Sequence, residues 1–185
     1  RLVSTLPFIA PPKDNLFPNR FMAQKVLDSQ MKKVSASDDA RMDIRESFEK
    51  LSSRGFLLPV SALDTSTKKL VYDDTDAGYY IPWRTVYKPG SISTPCRIVF
   101  DASQSTPGGS SLNNLLAKGR NSLPKILHMF IRFRRGAAAF ATDISMAYNG
   151  IKLDPLHYKY QRYLWKEDLD PENATKTISI RILGV

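Results

Sequence analysis

Cysteine is almost missing from this chain. Cys96 is the only one in 185 residues, so no internal disulfide can form. That fits an intracellular, cytoplasmic setting and argues against secretion. Histidine is nearly as scarce. His128 and His157 are the only two, and they offer no zinc-ligand spacing. No apolar run approaches the ~20 residues of a membrane-spanning helix, so no membrane partner is expected. The first seven residues, Arg1 to Pro7, are too short and interrupted for a signal peptide. There is no internal repeat and no low-complexity tail. Acidic residues vanish altogether between Ala102 and Thr142.

What is present is positive charge. The net charge is +9 and the pI is near 9.7, which favours a polyanionic partner. Apolar and charged fractions of 42% and 24% are those of an ordinary globular protein of one or two domains. The chain lacks an initial methionine, and residues 177–185 look like a strand. Both features lead us to expect a piece excised from a longer polypeptide.

Patterning predicts a mixed α/β chain. Pro7, Pro11, Pro12 and Pro18 make residues 1–18 extended. Asn19 is placed to cap a helix running to about Val34, with Met22, Val26 and Leu27 on one side. Asp38 or Asp39 starts a second helix, where Ile44, Phe48 and Leu51 recur at helical spacing and Gly55 provides the stop. A short strand follows over 56–60, and residues 61–78 read as a polar loop or a loose hairpin tip. Residues 79–87 and 96–101 form two strands around a Pro/Gly turn. A third helix begins near Asn121 or Ser122, with Ile126, Leu127, Phe130, Ile131 and Phe133 as its buried side. A strand then delivers Asp143, and residues 158–165 and 177–182 supply two more.

Four features carry chemistry. The first is Asp143 in Ala139-Phe-Ala-Thr-Asp-Ile-Ser-Met-Ala-Tyr148. A carboxylate at an exposed strand end is rigid and still reaches solvent, as a magnesium ligand must, and the Ile144 carbonyl is a second hard donor. Taken alone, such an aspartate more often just caps a turn. The second is Tyr148, whose ring beneath a sugar would collide with a 2′-hydroxyl; an isolated tyrosine near a strand is more commonly core. The third is the pair Lys88 and Arg97, flanking a turn that would curl over a triphosphate. Two solvated charges on a hairpin would look the same. The fourth is the acid-free segment with Lys118, Arg120, Lys125, Arg132, Arg134 and Arg135, suited to a phosphate backbone. The last three also suit the C-terminal end of a helix dipole. Tyr72-Asp73-Asp74 is set aside: it lacks the spacer of a Tyr-x-Asp-Asp signature and lies upstream of Asp143.

In order, Tyr79-Tyr-Ile-Pro82, Val86-Tyr-Lys-Pro-Gly90, Arg97-Ile-Val-Phe-Asp-Ala-Ser103 and Ser111-Leu-Asn-Asn114 resemble the fingers of a retroelement reverse transcriptase. Ala141-Thr-Asp-Ile-Ser-Met-Ala-Tyr148, Ile151-Lys-Leu-Asp-Pro155 and Gln161-Arg-Tyr-Leu-Trp165 resemble its first palm motif and the strands after it. The match is to the Bel/Pao group of long-terminal-repeat retrotransposons. The resemblance implies a fingers subdomain leading into the start of the palm of a right-hand polymerase. It divides the chain into an N-terminal extended segment with a helical pair (1–60), a fingers-like hairpin and helix (61–137) and the start of a palm (138–185).

The implied activity is RNA-directed DNA polymerisation by two-metal nucleotidyl transfer, with two magnesium ions, or manganese in their place. Asp143 would be the first catalytic metal ligand with Ile144 beside it, Tyr148 the sugar gate, and Lys88 and Arg97 triphosphate contacts. Asn113 would pack near the template, whose backbone Lys118, Arg120 and Lys125 suit. Implied partners are an RNA or DNA template-primer, a dNTP, and the remaining palm, thumb and nuclease parts of one polyprotein. The Tyr-x-Asp-Asp hairpin is not in these residues, so the chain by itself is expected to be inactive. Ser145-Met146-Ala147 departs from the Glu-Lys-Met common in the family. Two other readings are a non-catalytic, domesticated nucleic-acid-binding module and a piece of an RNA-dependent RNA polymerase. Tyr148 counts against the latter, which usually lacks a blocking aromatic.

Overall fold

The structure is a computed structural model describing residues 2–34, 37–72, 78–88, 96–106, 108–166 and 178–183. It is mixed α/β with three small sheets. The expected turn at 89–95, the charged stretch expected to join the last two strands and the Asp73-Asp74 pair lie outside the described residues.

Two helices lie behind a hairpin. Helix α2 (Arg20–Val34) buries Ala23, Leu27, Gln30 and Val34, one per turn. Helix α3 (Asp38–Ser53) buries Ile44 and Phe48, as their spacing predicts. Its cap is Ser37, whose side chain accepts from Ala40 N; Asp38 and Asp39 occupy the first turn instead. Gly55 follows the helix at φ 68°, the left-handed conformation that glycine adopts without strain.

Strands β3 (Trp83–Tyr87) and β4 (Cys96–Phe100) pair antiparallel, with Val86 opposite Arg97 and Trp83 opposite Phe100. Alternation then sorts the faces. Trp83, Cys96, Ile98 and Phe100 turn to the core, while Arg84, Val86, Arg97 and Val99 are exposed. Strands β2 (Leu57–Pro59), β7 (Ile178–Leu183) and β6 (Arg162–Lys166) form an antiparallel sheet in the order β2-β7-β6.

Phe48 sits at the centre of the largest core cluster. Its ring centroid lies 4.1 Å from that of Trp165, 5.0 Å from Trp83 and 6.0 Å from Tyr163. Trp83 Nε1 donates to Leu164 O at 2.8 Å, so the buried indole keeps its hydrogen bond. Each of the three core clusters takes residues from all three segments distinguished in the sequence. Burial pushes the Cys96 thiol pKa upward, which suits an inert core residue.

Several elements differ from the sequence reading. Asn19 does not cap α2 with its side chain. It is buried, donates to Tyr80 O at 2.8 Å and accepts from Tyr80 N at 2.9 Å, pinning the strand approach to β3. Residues 12–15 form a short helix, α1 (Pro12–Asn15), because proline is tolerated in a first turn. The supposed loop at 61–78 contains helix α4 (Thr65–Val71), capped by Asp64. Hydrogen bonds from Ser66 and Thr67 hold that carboxyl well below the usual carboxylate range, so the cap is intact at neutral pH and weakens in acid. The strand expected over 158–165 is present only from Arg162 as β6; residues 155–160 are a 3-10 turn, which Asp154 caps and Pro155 opens. No helix among the described residues is long and apolar enough to cross a membrane.

Candidate functional site

Residues 117–145 are exposed throughout. Two expectations fail there. The third helix, α5 (Ile126–Phe133), starts after Pro124, and its apolar side is not buried. Ile126, Leu127, Phe130, Ile131 and Phe133 are all more than half exposed, because none of the core clusters includes them. Nor does a strand lead into Asp143. Residues 138–144 have no regular structure, for a strand needs a hydrogen-bonded neighbour and none of the described strands pairs with them. Asp143 is nevertheless exposed, as predicted. Its Oδ1 accepts from Ile144 N at 2.9 Å, the bland local role of such an aspartate.

From Asp143 the chain turns through Ser145 and Met146 into a 3-10 turn, Ala147–Gly150, that carries Tyr148. Met146 has φ 53°, an uncommon left-handed conformation for a residue with a β-carbon. Its sulfur accepts from Arg54 Nη1 at 3.1 Å, linking this turn to the end of α3. Strand β5 (Ile151–Leu153) follows and pairs in parallel with β1 (Leu2–Ser4), a strand the sequence reading did not foresee.

Tyr148 is 92% exposed, so it is not a core tyrosine. It helps to line an open cavity of about 400 Å³ with Ser4, Leu6, Phe100, Lys152 and Gln161. Asp143, Lys88 and Arg97 are not among the lining residues. Arg97 projects from the solvent face of the β3–β4 hairpin, and Lys88 is exposed just beyond β3. The two cations thus share one end of the hairpin. Lys118, Arg120 and Lys125 lie on the exposed arm, and Asn113 begins an exposed 3-10 turn whose Leu115 is buried.

Asp143 and the Ile144 carbonyl are hard oxygen donors of the kind magnesium takes. They amount to one carboxylate: among the described residues no group of three or more His, Cys, Asp or Glu could hold a metal ion. Arg162 stands apart from this chemistry. It is buried, lies 4.2 Å over the Tyr80 ring and donates to Val71 O at 3.0 Å. A β-carbon at Gly78 would meet its guanidinium at 1.8 Å, so the residue packs the fold.

Neither protein-family models nor curated protein sequences match this chain. The functional reading therefore rests on its own residues and on the resemblance of their motifs.

Proposed function

We propose that this chain is the fingers and the start of the palm of an RNA-directed DNA polymerase of the Bel/Pao retrotransposon type. The observation that carries the reading is the run from Asp143 to Tyr148. An exposed carboxylate is followed, one turn later, by an exposed ring at the mouth of a cavity. A hairpin with two outward cations and an acid-free basic arm precede it in the order a polymerase needs.

In this reading Arg97 forks onto triphosphate oxygens and Lys88 adds a point charge. Lys118, Arg120 and Lys125 hold the template-primer backbone without reading its sequence. Asp143 and the Ile144 carbonyl would hold divalent magnesium together with carboxylates that these residues do not supply, and a bound ion would there supply charge stabilisation to the reacting oxygens. Tyr148 excludes the 2′-hydroxyl of the incoming sugar.

Tyr148→Ala in the complete polymerase tests this. Because the ring is exposed, stability should change by less than about 0.5 kcal/mol. Ribonucleotide incorporation should rise by one to two orders of magnitude, roughly the 1–3 kcal/mol of a relieved steric clash. Unchanged sugar discrimination would remove Tyr148 from the gate.

A further inference from the structure

One imidazole ties the N-terminal strap to the rest of the fold. Strand β1 lies on β5, and Ser4 O accepts from Asp154 N at 2.9 Å. Beyond it, Leu6 N donates to His157 Nδ1 at 2.8 Å. An imidazole nitrogen accepts a hydrogen bond only when it bears no proton. The bond therefore fixes the tautomer, with Nδ1 bare and the proton on Nε2. The half-buried ring is held 5.7 Å from Phe8 and 6.0 Å from Tyr160, centroid to centroid.

The strap is also a wall. Ser4, Thr5, Leu6 and Pro7 line the cavity at whose mouth Tyr148 stands. Leu2, Val3 and Ser4 are exposed, so β1 contributes backbone pairing and little burial of its own. We propose that His157 is a proton-operated latch on this wall. A solvent proton taken up at Nδ1 turns the acceptor into a second donor facing the Leu6 N–H. The Leu6–His157 hydrogen bond is lost, and the wall loosens at Leu6, while the β1–β5 pairing and the Ala117 N–Pro7 O bond on either side still hold the strap.

The surrounding charges are mixed. Residues 2–8 of the strap carry no titratable side chain. The turn that holds His157 carries Tyr158, Lys159 and Tyr160, with Asp154 as its cap; Lys159 Nζ lies 5.5 Å over the Tyr160 ring. Helix α4 packs on this turn and brings Lys68 and Lys69, with Asp64 at its cap. Strand β7 packs there too and brings Arg181, and β5 carries Lys152. The latch stands whether or not the chain serves a polymerase.

Amide hydrogen exchange on the 185-residue chain tests it, read between about pH 7.5 and 5.5, where imidazole changes charge. The reference is Ala23 N–H in α2, bonded to Asn19 O and belonging neither to the strap nor to the turn that holds His157. On acidification, exchange at Leu6 relative to Ala23 should rise by roughly fivefold or more, the order expected for one lost hydrogen bond. His157→Asn keeps an acceptor at the δ position that cannot titrate, and its Leu6 amide should stay protected throughout. An acid-insensitive Leu6 amide in the unsubstituted chain would overturn the latch, as would equal acid sensitivity in the Asn variant. The imidazole nitrogen spectrum of the unsubstituted chain needs no variant. At neutral pH it should show Nδ1 unprotonated; a proton on Nδ1 would refute the proposal.

Discussion

Asp143→Asn should abolish primer extension by the complete polymerase while leaving this chain folded. Asparagine keeps the shape and one oxygen but loses the charge that holds a divalent cation. Charge stabilisation by a bound ion is worth several kcal/mol, so the rate should fall by roughly a thousandfold or more. Asp143 is exposed and its one recorded bond is to its neighbour Ile144 N, which the Asn side-chain oxygen can still accept. Stability should therefore change by less than about 0.5 kcal/mol. Primer extension and thermal unfolding, measured on the same variant, separate the two effects. Full extension by Asp143→Asn would remove this residue from the chemistry.

Phe48→Ala should have the largest effect on stability. The ring is 2% exposed and meets Trp83, Phe100, Tyr163 and Trp165. Truncating such a side chain costs about 3–5 kcal/mol, the lost transfer energy plus the cavity left behind. That is a large share of the roughly 5–15 kcal/mol that separates most folded domains from the unfolded state. Phe140→Ala is the control, since that ring is 90% exposed and should be nearly neutral. Equal effects of the two substitutions, measured by denaturant unfolding, would contradict the packing described.

The elements legible in the sequence are those whose burial is periodic. Ile44 and Phe48 fall four residues apart and both reach the core. The β3–β4 hairpin alternates as read, which fixes Arg97 on the outer face. What escaped was set by contacts distant in sequence. Asn19 looks like a helix cap, yet Tyr80, 61 residues away, takes both its polar atoms. The polar composition of 61–78 hides α4, from which a single residue, Val71, is buried. The parallel pairing of β1 with β5 has no local signal, because both strands are three residues long and joined across most of the chain. Of the candidate site, exposure of Asp143, Lys88 and Arg97 was foreseeable from polarity. The cavity beside Tyr148 was not, since its far wall comes from residues 4–7. The apolar residues within 126–133 suggested a buried helix side and those at 139–141 a strand; composition alone does not say whether a facing layer is in contact, and here they are exposed.

Iron-mediated backbone cleavage tests the central claim most directly. Iron(II) is substituted for magnesium in the complete polymerase with template-primer and dNTP, and ascorbate and peroxide are added. Radicals formed at the ion cut the chain beside it. The account predicts cuts at Asp143 and Ile144 and near Lys88 and Arg97, lost with excess magnesium and in Asp143→Asn. Cuts confined to other segments, or a pattern unchanged by Asp143→Asn, would contradict it.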